Sequence, residues 1–282
     1  MATDSLPSSS STTEVPRPAA GGVATPLLSL RGISKHFGAV QALYAVDLDL
    51  PSGQVTALCG DNGAGKSVLT KTIAGIHQAD EGEILWEGRP VQIRNPGDAA
   101  SLGIETVYQD LALADNLDIV QNMFLGRERL KGLFLDEESM EGAAAETLAS
   151  LHVTTVRSIR QPVATLSGGQ RQAVAVAKAV MWNSKLVMLD EPTAALGVAQ
   201  TRMVLDLVLR LKDRGLAVMV ISHNLNDVFE VADRIAILRL GRMVAQDSVK
   251  AFDRQSVVDY MTTGSTSRAP GAPTAAAAPR PD

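Results

Sequence analysis

The residues Gly60-Asp61-Asn62-Gly63-Ala64-Gly65-Lys66-Ser67 fit the pattern G-x-x-x-x-G-K-[ST]. They follow an apolar run, Val55 to Cys59, and precede a helical pattern from Val68 to Ile76. Strand, glycine loop and helix in that order make a phosphate cradle. Glycines let backbone N–H groups turn inward and approach anionic oxygens closely. The helix that follows points the positive end of its dipole at the same anion. Lys66 adds a point charge suited to the β- and γ-phosphates, and the Ser67 hydroxyl is a ligand for Mg²⁺.

A second chemical pair ends another apolar run. Leu186 to Leu189 is followed by Asp190 and Glu191, then Pro192 and Thr193. Neighbours at a strand end point in different directions, so two acids can hold two roles. Asp190 suits the metal of a bound nucleotide, held through water. Glu191 suits the orientation or deprotonation of an attacking water. Alone, the pair reads as a solvated strand end; beside the loop it reads as a site.

A third feature is Leu166-Ser167-Gly168-Gly169-Gln170-Arg171-Gln172, which precedes an apolar helix from Ala173 to Trp182. Ser167 is a good N-cap, and the glycines bare the backbone for close contact. Alone, this serine and its glycines read as a plain capped core helix; beside the first loop, one domain carries two phosphate-docking helix ends. One triphosphate offers limited surface, and the economical arrangement is a symmetric dimer. Each ATP then touches the loop of one chain and Ser167, Gly168 and Gly169 of the other, as an isologous two-fold interface allows.

The elements needed to position these groups are legible as an α/β pattern with a largely parallel sheet. Buried-strand runs occur at Val55 to Cys59, Leu186 to Leu189, Leu216 to Ile221 (ending at Ser222-His223) and Ile235 to Leu238. The segments Leu28 to Leu30 and Val46 to Leu50 alternate, which predicts a partly antiparallel N-terminal sheet. Residues 111–165 lack strong strand signals, while Met140, Ala144, Leu148 and Leu151 recur at helical spacing after an N-cap at Asp136. That stretch reads as a helical subdomain inserted into the core.

The chain of 282 residues has room for one such domain and its insert. Residues 1–26 and 264–282 are rich in Ser, Thr, Pro and Ala, and are expected to be disordered tails around a folded part at 27–263. Lys and Arg total 26 and Asp and Glu total 31, a net charge of −5, so the chain lacks the positive field of a generic nucleic-acid binder. Its one cysteine, Cys59, excludes an internal disulfide and reads as a small core residue. No basic start leads into an apolar core, and no run approaches the roughly 20 apolar residues of a membrane span. A soluble chain is expected, with any membrane attachment made through a partner.

Taken together, GDNGAGKS, Gln109 in VYQD, LSGGQRQ, LVMLDEPT and ISHN occur in the order found in ATP-binding-cassette ATPases. The chain resembles that family over residues 27–263, and LSGGQ is specific to it. The resemblance implies an α/β P-loop core, an N-terminal antiparallel β subdomain and an inserted helical subdomain at about 111–165. It implies ATP and Mg²⁺ as ligands, with Gly60, Asp61, Asn62, Gly63, Ala64, Gly65, Lys66, Ser67 and Val68 around the phosphates. Phe37 resembles the aromatic that stacks on adenine. Gln109 resembles the residue that joins the Mg²⁺ and water network, with Ser67 and Asp190, and links the core to the helical subdomain. Glu191, His223, Gln109 and Lys66 take the catalytic roles, His223 as the switch histidine on the γ-phosphate. Ser167, Gly168, Gly169 and Gln170 meet the nucleotide of a twin chain. Gly197 stands where the family commonly has an aspartate that couples the two sites. His36, His77 and His152 match nothing.

Gly197-Val198-Ala199-Gln200, GDNGAGKS and HNLNDVFEVADRIAILRLGR resemble the family's monosaccharide importers. The reading is an ATPase subunit of a sugar importer, a homodimer that drives a membrane permease. It would sit peripherally on the cytoplasmic face of the inner membrane and meet a solute-binding protein only indirectly. Three alternatives differ in kind: transport of another solute or export, a non-transport ATPase acting on nucleic acid, and a module that binds without hydrolysing. Ser67 and Ser167 are too close in sequence to flank long coiled-coil arms, and basic tails are missing, so no nucleic-acid partner is expected. The solute itself is met by other chains and is not written here.

Overall fold

In the central strands, odd and even side chains enter two different cores, which is why those stretches are continuous apolar runs rather than alternating ones. Val187, Leu189, Val218 and Val220 pack on one face of the sheet, and Leu186, Met188, Ala217, Met219 and Ile221 on the other. The computed structural model describes residues 25–153 and 155–265. The tails expected to be disordered lie outside the described residues, except at 25–26 and 264–265.

In chain order, the first half comprises β1 (Leu28–Phe37), β2 (Val40–Leu50), β3 (Val55–Cys59), α1 (Lys66–Ile73), β4 (Glu81–Trp86), β5 (Arg89–Val91), α2 (Pro96–Leu102) and β6 (Ile104–Val107). The insert follows, with α3 (Ile119–Phe124), β7 (Leu130–Lys131), β8 (Phe134–Leu135) and α4 (Glu137–Ser150). The remainder is α5 (Gly168–Val180), β9 (Leu186–Asp190), α6 (Val198–Asp213), β10 (Ala217–Ile221), α7 (Leu225–Val231), β11 (Arg234–Arg239), β12 (Arg242–Ser248) and α8 (Arg254–Thr263).

The main sheet runs β12-β11-β3-β10-β9-β6. All its neighbouring pairs are parallel except β11 with β12. An antiparallel sheet, β2-β1-β4-β5, shares a core with α1 and one face of the main sheet. Helices α3, α4, α5 and α6 cover the other face. The fold class expected from the sequence is thus present, including the N-terminal antiparallel sheet.

Several boundaries differ for physical reasons. β1 and β2 run well past Leu30 and upstream of Val46, because register shifts between Leu30 and His36 break the period-2 pattern. The first helix begins at Lys66 rather than Val68, and it stops at Ile73 because Gly75 turns with φ 75° where a Cβ would lie 2.4 Å from Asn95 O. The insert is not wholly helical. Its hairpin β7–β8 turns through Gly132 (φ 69°), and its apolar side chains face outward: Leu130, Leu133, Phe134 and Leu135 are 66, 96, 80 and 52% exposed.

The loop carrying Gln109 is held by a polar side chain inside the insert. Asn122 on α3 is fully buried; its Oδ1 accepts from Ala114 N at 2.7 Å, and its Nδ2 donates to the carbonyls of Ala114, Leu117 and Asp118. Arg160 ties the same region together through Asp118, Glu137 and Glu141. Replacing Asn122 with Ala leaves buried backbone groups unpaired. Urea unfolding of Asn122→Ala will show a loss of about 2–4 kcal/mol in stability.

Candidate functional site

Parallel strands bring their C-terminal ends to one edge of the sheet, and four of them deliver a chemical group there. β3 runs into Gly60, β9 ends at Asp190 and Glu191, β10 leads to Ser222 and His223, and β6 to Tyr108 and Gln109. β10 lies between β3 and β9. His223 therefore arrives between the loop and the acids, and its Nδ1 is 2.8 Å from Glu191 Oε1.

The loop is shaped by crowding at its foot. A Cβ on Gly60 would lie 2.3 Å from Leu238 O, and one on Gly65 (φ 105°) would lie 2.9 Å from Ala42 O. Gly241 N donates to Ala64 O at 2.9 Å, so the β11–β12 turn pins the loop from outside. Asp61, Asn62 and Gly63 are exposed at the tip, Ala64 is buried, and Val68 is half-buried on α1. The Lys66 ammonium is buried and donates to Gly60 O at 2.7 Å and Asp61 O at 3.1 Å. Ser67 is exposed at the start of α1. No side chain caps α1, whose first amides therefore remain available to an anion.

The acids feel each other. Burial pushes the Asp190 carboxyl above its usual 3.8, the Glu191 charge pushes it further, and Lys66 and Lys71 pull it partly back. Glu191 takes a left-handed backbone conformation (φ 49°), held by Glu191 N to Ile221 O at 2.9 Å and Ala194 N to Glu191 O at 3.1 Å. Cys59, beneath the loop, is buried, and burial pushes its thiol up to about 12, which keeps it a neutral core group.

Other expected residues stand further out. Phe37 ends β1, with its ring edge-on to His77 at 5.1 Å between centroids. Gln109 is exposed just past edge strand β6. Ser167 caps α5: its Oγ accepts from Gln170 N, and Gln170 Oε1 accepts from Ser167 N at 2.9 Å. The Gln170 amide also donates to Thr155 O at 2.6 Å, so that side chain is turned into the cap. Gly168 is packed against the turn before α6 and Gly169 against α6 itself, where a Cβ would meet Leu196 Cδ2 at 2.9 Å and Met203 Cε at 2.6 Å respectively. Among the described residues, no hydrogen bond joins Ser167–Gln170 to the Gly60–Ser67 loop. Within one chain the two helix ends thus serve separate places.

Three residues with no reading in the sequence support this edge. His77 braces Phe37, Asn122 holds the loop after Gln109, and Asp227 on α7 accepts a hydrogen bond from Thr193 Oγ1 at 2.6 Å. The one local signal for Asp227 is an acid in the first turn after a cap, which fits many surface helices equally well.

The glycine loop, the uncapped helix and the acids at the end of the next strand but one define a nucleotide-binding P-loop α/β protein. A family model described as ABC transporter matches residues 43–194. The fructose import ATP-binding protein FrcA of Rhizobium meliloti is 50% identical over 244 residues, 84% of this chain and 94% of that protein. The xylose/arabinose import ATP-binding protein XylG of Sulfolobus acidocaldarius is 46% identical over 237 residues, again 84% and 94%. Among solved structures, the dimeric post-hydrolysis state of the ATP-binding cassette MJ0796 bound to ADP and Pi superposes with a TM-score of 0.66 at 25% identity, over 80% of this chain and all of that one. The chain belongs to the ABC transporter family, as one of its ATP-binding subunits, an ATPase.

Two outcomes follow from the electrostatics and the caps. Asp190→Asn removes a carboxylate whose charged form the fold disfavours, so without nucleotide or metal the variant melts higher than the parent at neutral pH. Below 3.8, the unfolded value, both states of the parent are protonated and the gain vanishes; it grows as pH rises through the raised folded value. Melting curves between pH 4 and 8 will show that slope, and a gain independent of pH would contradict the cause. Gly197, with φ −73° and open space where a Cβ would lie, caps α6 without a side chain. Gly197→Asp will raise stability by a few tenths of a kcal/mol in the same melts.

Proposed function

We propose that this chain is the ATP-hydrolysing subunit of a sugar importer, and that it works as a dimer of identical chains on a membrane permease. The contact between His223 and Glu191, beside the Lys66 loop, carries the hydrolytic part of the reading. The import names of FrcA and XylG support the sugar part. No helix among the described residues is long and apolar enough to cross a membrane. Peripheral attachment to the cytoplasmic face, through the permease, is consistent with that.

The loop amides and Lys66 would grip the β- and γ-phosphates, with Lys66 trading its loop carbonyls for phosphate oxygens. Glu191 would orient a water in line with the γ-phosphorus and take its proton as the new P–O bond forms and the bond to ADP breaks. His223 spends Nδ1 on Glu191, which leaves Nε2 to face the γ-phosphate. Phe37 would stack on adenine, braced by His77. The donor set fits magnesium: Ser67, Asp190 and Gln109 are hard oxygen ligands, few enough to share an ion with phosphates. A magnesium ion held by these residues would supply positive charge against the phosphates.

The twin chain would bring Ser167, Gly168 and Gly169 to the far side of the triphosphate. Gln170 would act by holding the cap rather than by touching nucleotide. The dimeric MJ0796 cassette bound to ADP and Pi supports a dimer of this kind. The insert after Gln109 would meet the permease, which in turn answers to a solute-binding protein.

Turnover of MgATP by the purified chain tests the chemistry. Glu191→Gln will lower kcat by about a hundredfold or more; unchanged turnover would refute the assignment. Uptake of labelled fructose, xylose, arabinose and ribose by cells lacking the chain tests the sugar class, with loss for at least one expected and no loss for any overturning it.

A further inference from the structure

The turn that carries Glu191 and the helix that follows His223 are joined by a part-buried polar contact. Thr193 Oγ1 donates to Asp227 Oδ2 at 2.6 Å, across 34 positions of sequence. Asp227 is 8% exposed, so its charge is largely removed from water and depends on that hydroxyl. The length matches a charge-assisted O–H···O⁻ bond, stronger than a neutral one. Thr193 stands two residues after Glu191, inside the turn closed by Ala194 N to Glu191 O and Leu196 N to Thr193 O. Asp227 stands four residues after His223, in the first turn of α7. Between them, Ser222 Oγ accepts from Asn224 N at 3.0 Å, and the Asn224 side chain caps the helix.

We propose that Thr193 and Asp227 form a latch that sets Glu191 and His223 at their working separation. The inference rests on the hydrolytic reading above. Neither residue touches the reacting atoms; both are positioning residues. The need is physical. Glu191 sits in a left-handed conformation that a non-glycine residue keeps only when its surroundings impose it. Its backbone is tied to β10 through Ile221 O, but that bond fixes only the start of the turn. The far end of the turn is fixed by the Thr193 hydroxyl. With the latch open, α7 and the Glu191 turn can slide apart, and the 2.8 Å contact between His223 Nδ1 and Glu191 Oε1 is lost.

The test compares three variants of the full chain in the MgATP assay, with Glu191→Gln as reference. Thr193→Ser keeps the donor and will keep kcat within twofold of the parent. Thr193→Val strands a buried carboxylate and will lower kcat about tenfold or more, with KM for ATP unchanged. Because that variant can also lose stability, Thr193→Val combined with Asp227→Leu removes both partners and restores the melting temperature. It will still turn over about tenfold slower than the parent, since the fold is kept and the alignment is not. Parent-like kcat in the double variant would overturn the latch while Glu191→Gln still abolishes turnover. If Glu191→Gln is also harmless, the hydrolytic reading fails first. A rise in KM that accounts for the whole loss would also overturn the latch, by making it a binding feature.

Discussion

The carboxylate of Asp190 is held half-buried at the end of a strand, with that of Glu191 beside it, and the edge of the sheet must accommodate that charge. Asp190 is held above its normal range first by burial and then by Glu191, and the ammonium groups of Lys66 and Lys71 only partly compensate. Water screens such a pair poorly once it is half-buried. An edge of this kind favours positive charge beside it. The glycine loop supplies the complementary half, with a buried ammonium and an uncapped helix end that favour an anion.

The strand order decides how those halves communicate. With β10 between β3 and β9, loop and acids are one strand apart, and β10 delivers His223 between them, its side chain exposed and its Nδ1 against Glu191. A histidine there meets the carboxylate through one ring nitrogen and keeps the other for whatever the loop holds. The antiparallel sheet and the β11–β12 turn press on the loop from behind through Ala42, Leu238 and Gly241. The insert acts at a distance, through the Asn122 network that fixes the segment after Gln109.

The local features of the site were legible in the sequence because their physics is local. A glycine loop between strand and helix, two acids ending an apolar run and a serine before two glycines each need only neighbours along the chain. The α/β class was legible for the same reason, since both faces of the main sheet are covered and the strands read as apolar runs. What escaped depends on partners far away in sequence. Thr193 with Asp227, His77 with Phe37, and Asn122 with its loop carbonyls look like ordinary polar residues until the fold joins them. By local pattern Gly168-Gly169 suggest anion contact alone; in the structure they also allow close packing on Leu196 and on Met203 of α6, which no local pattern encodes. The hairpin β7–β8 was missed because each of its strands has two residues, too short for any period.

That hairpin has a colloidal consequence. It presents Leu130, Leu133, Phe134 and Leu135 to water on a ribbon whose outer backbone groups lack a neighbouring strand among the described residues. Apolar surface of that kind orders solvent around it and invites any similar surface to share the cost. In concentrated solution the isolated chain therefore carries a built-in stickiness at this tip. Salts that strengthen apolar association, such as sulfate, will aggravate it, and a single charge placed at Leu133 would relieve it.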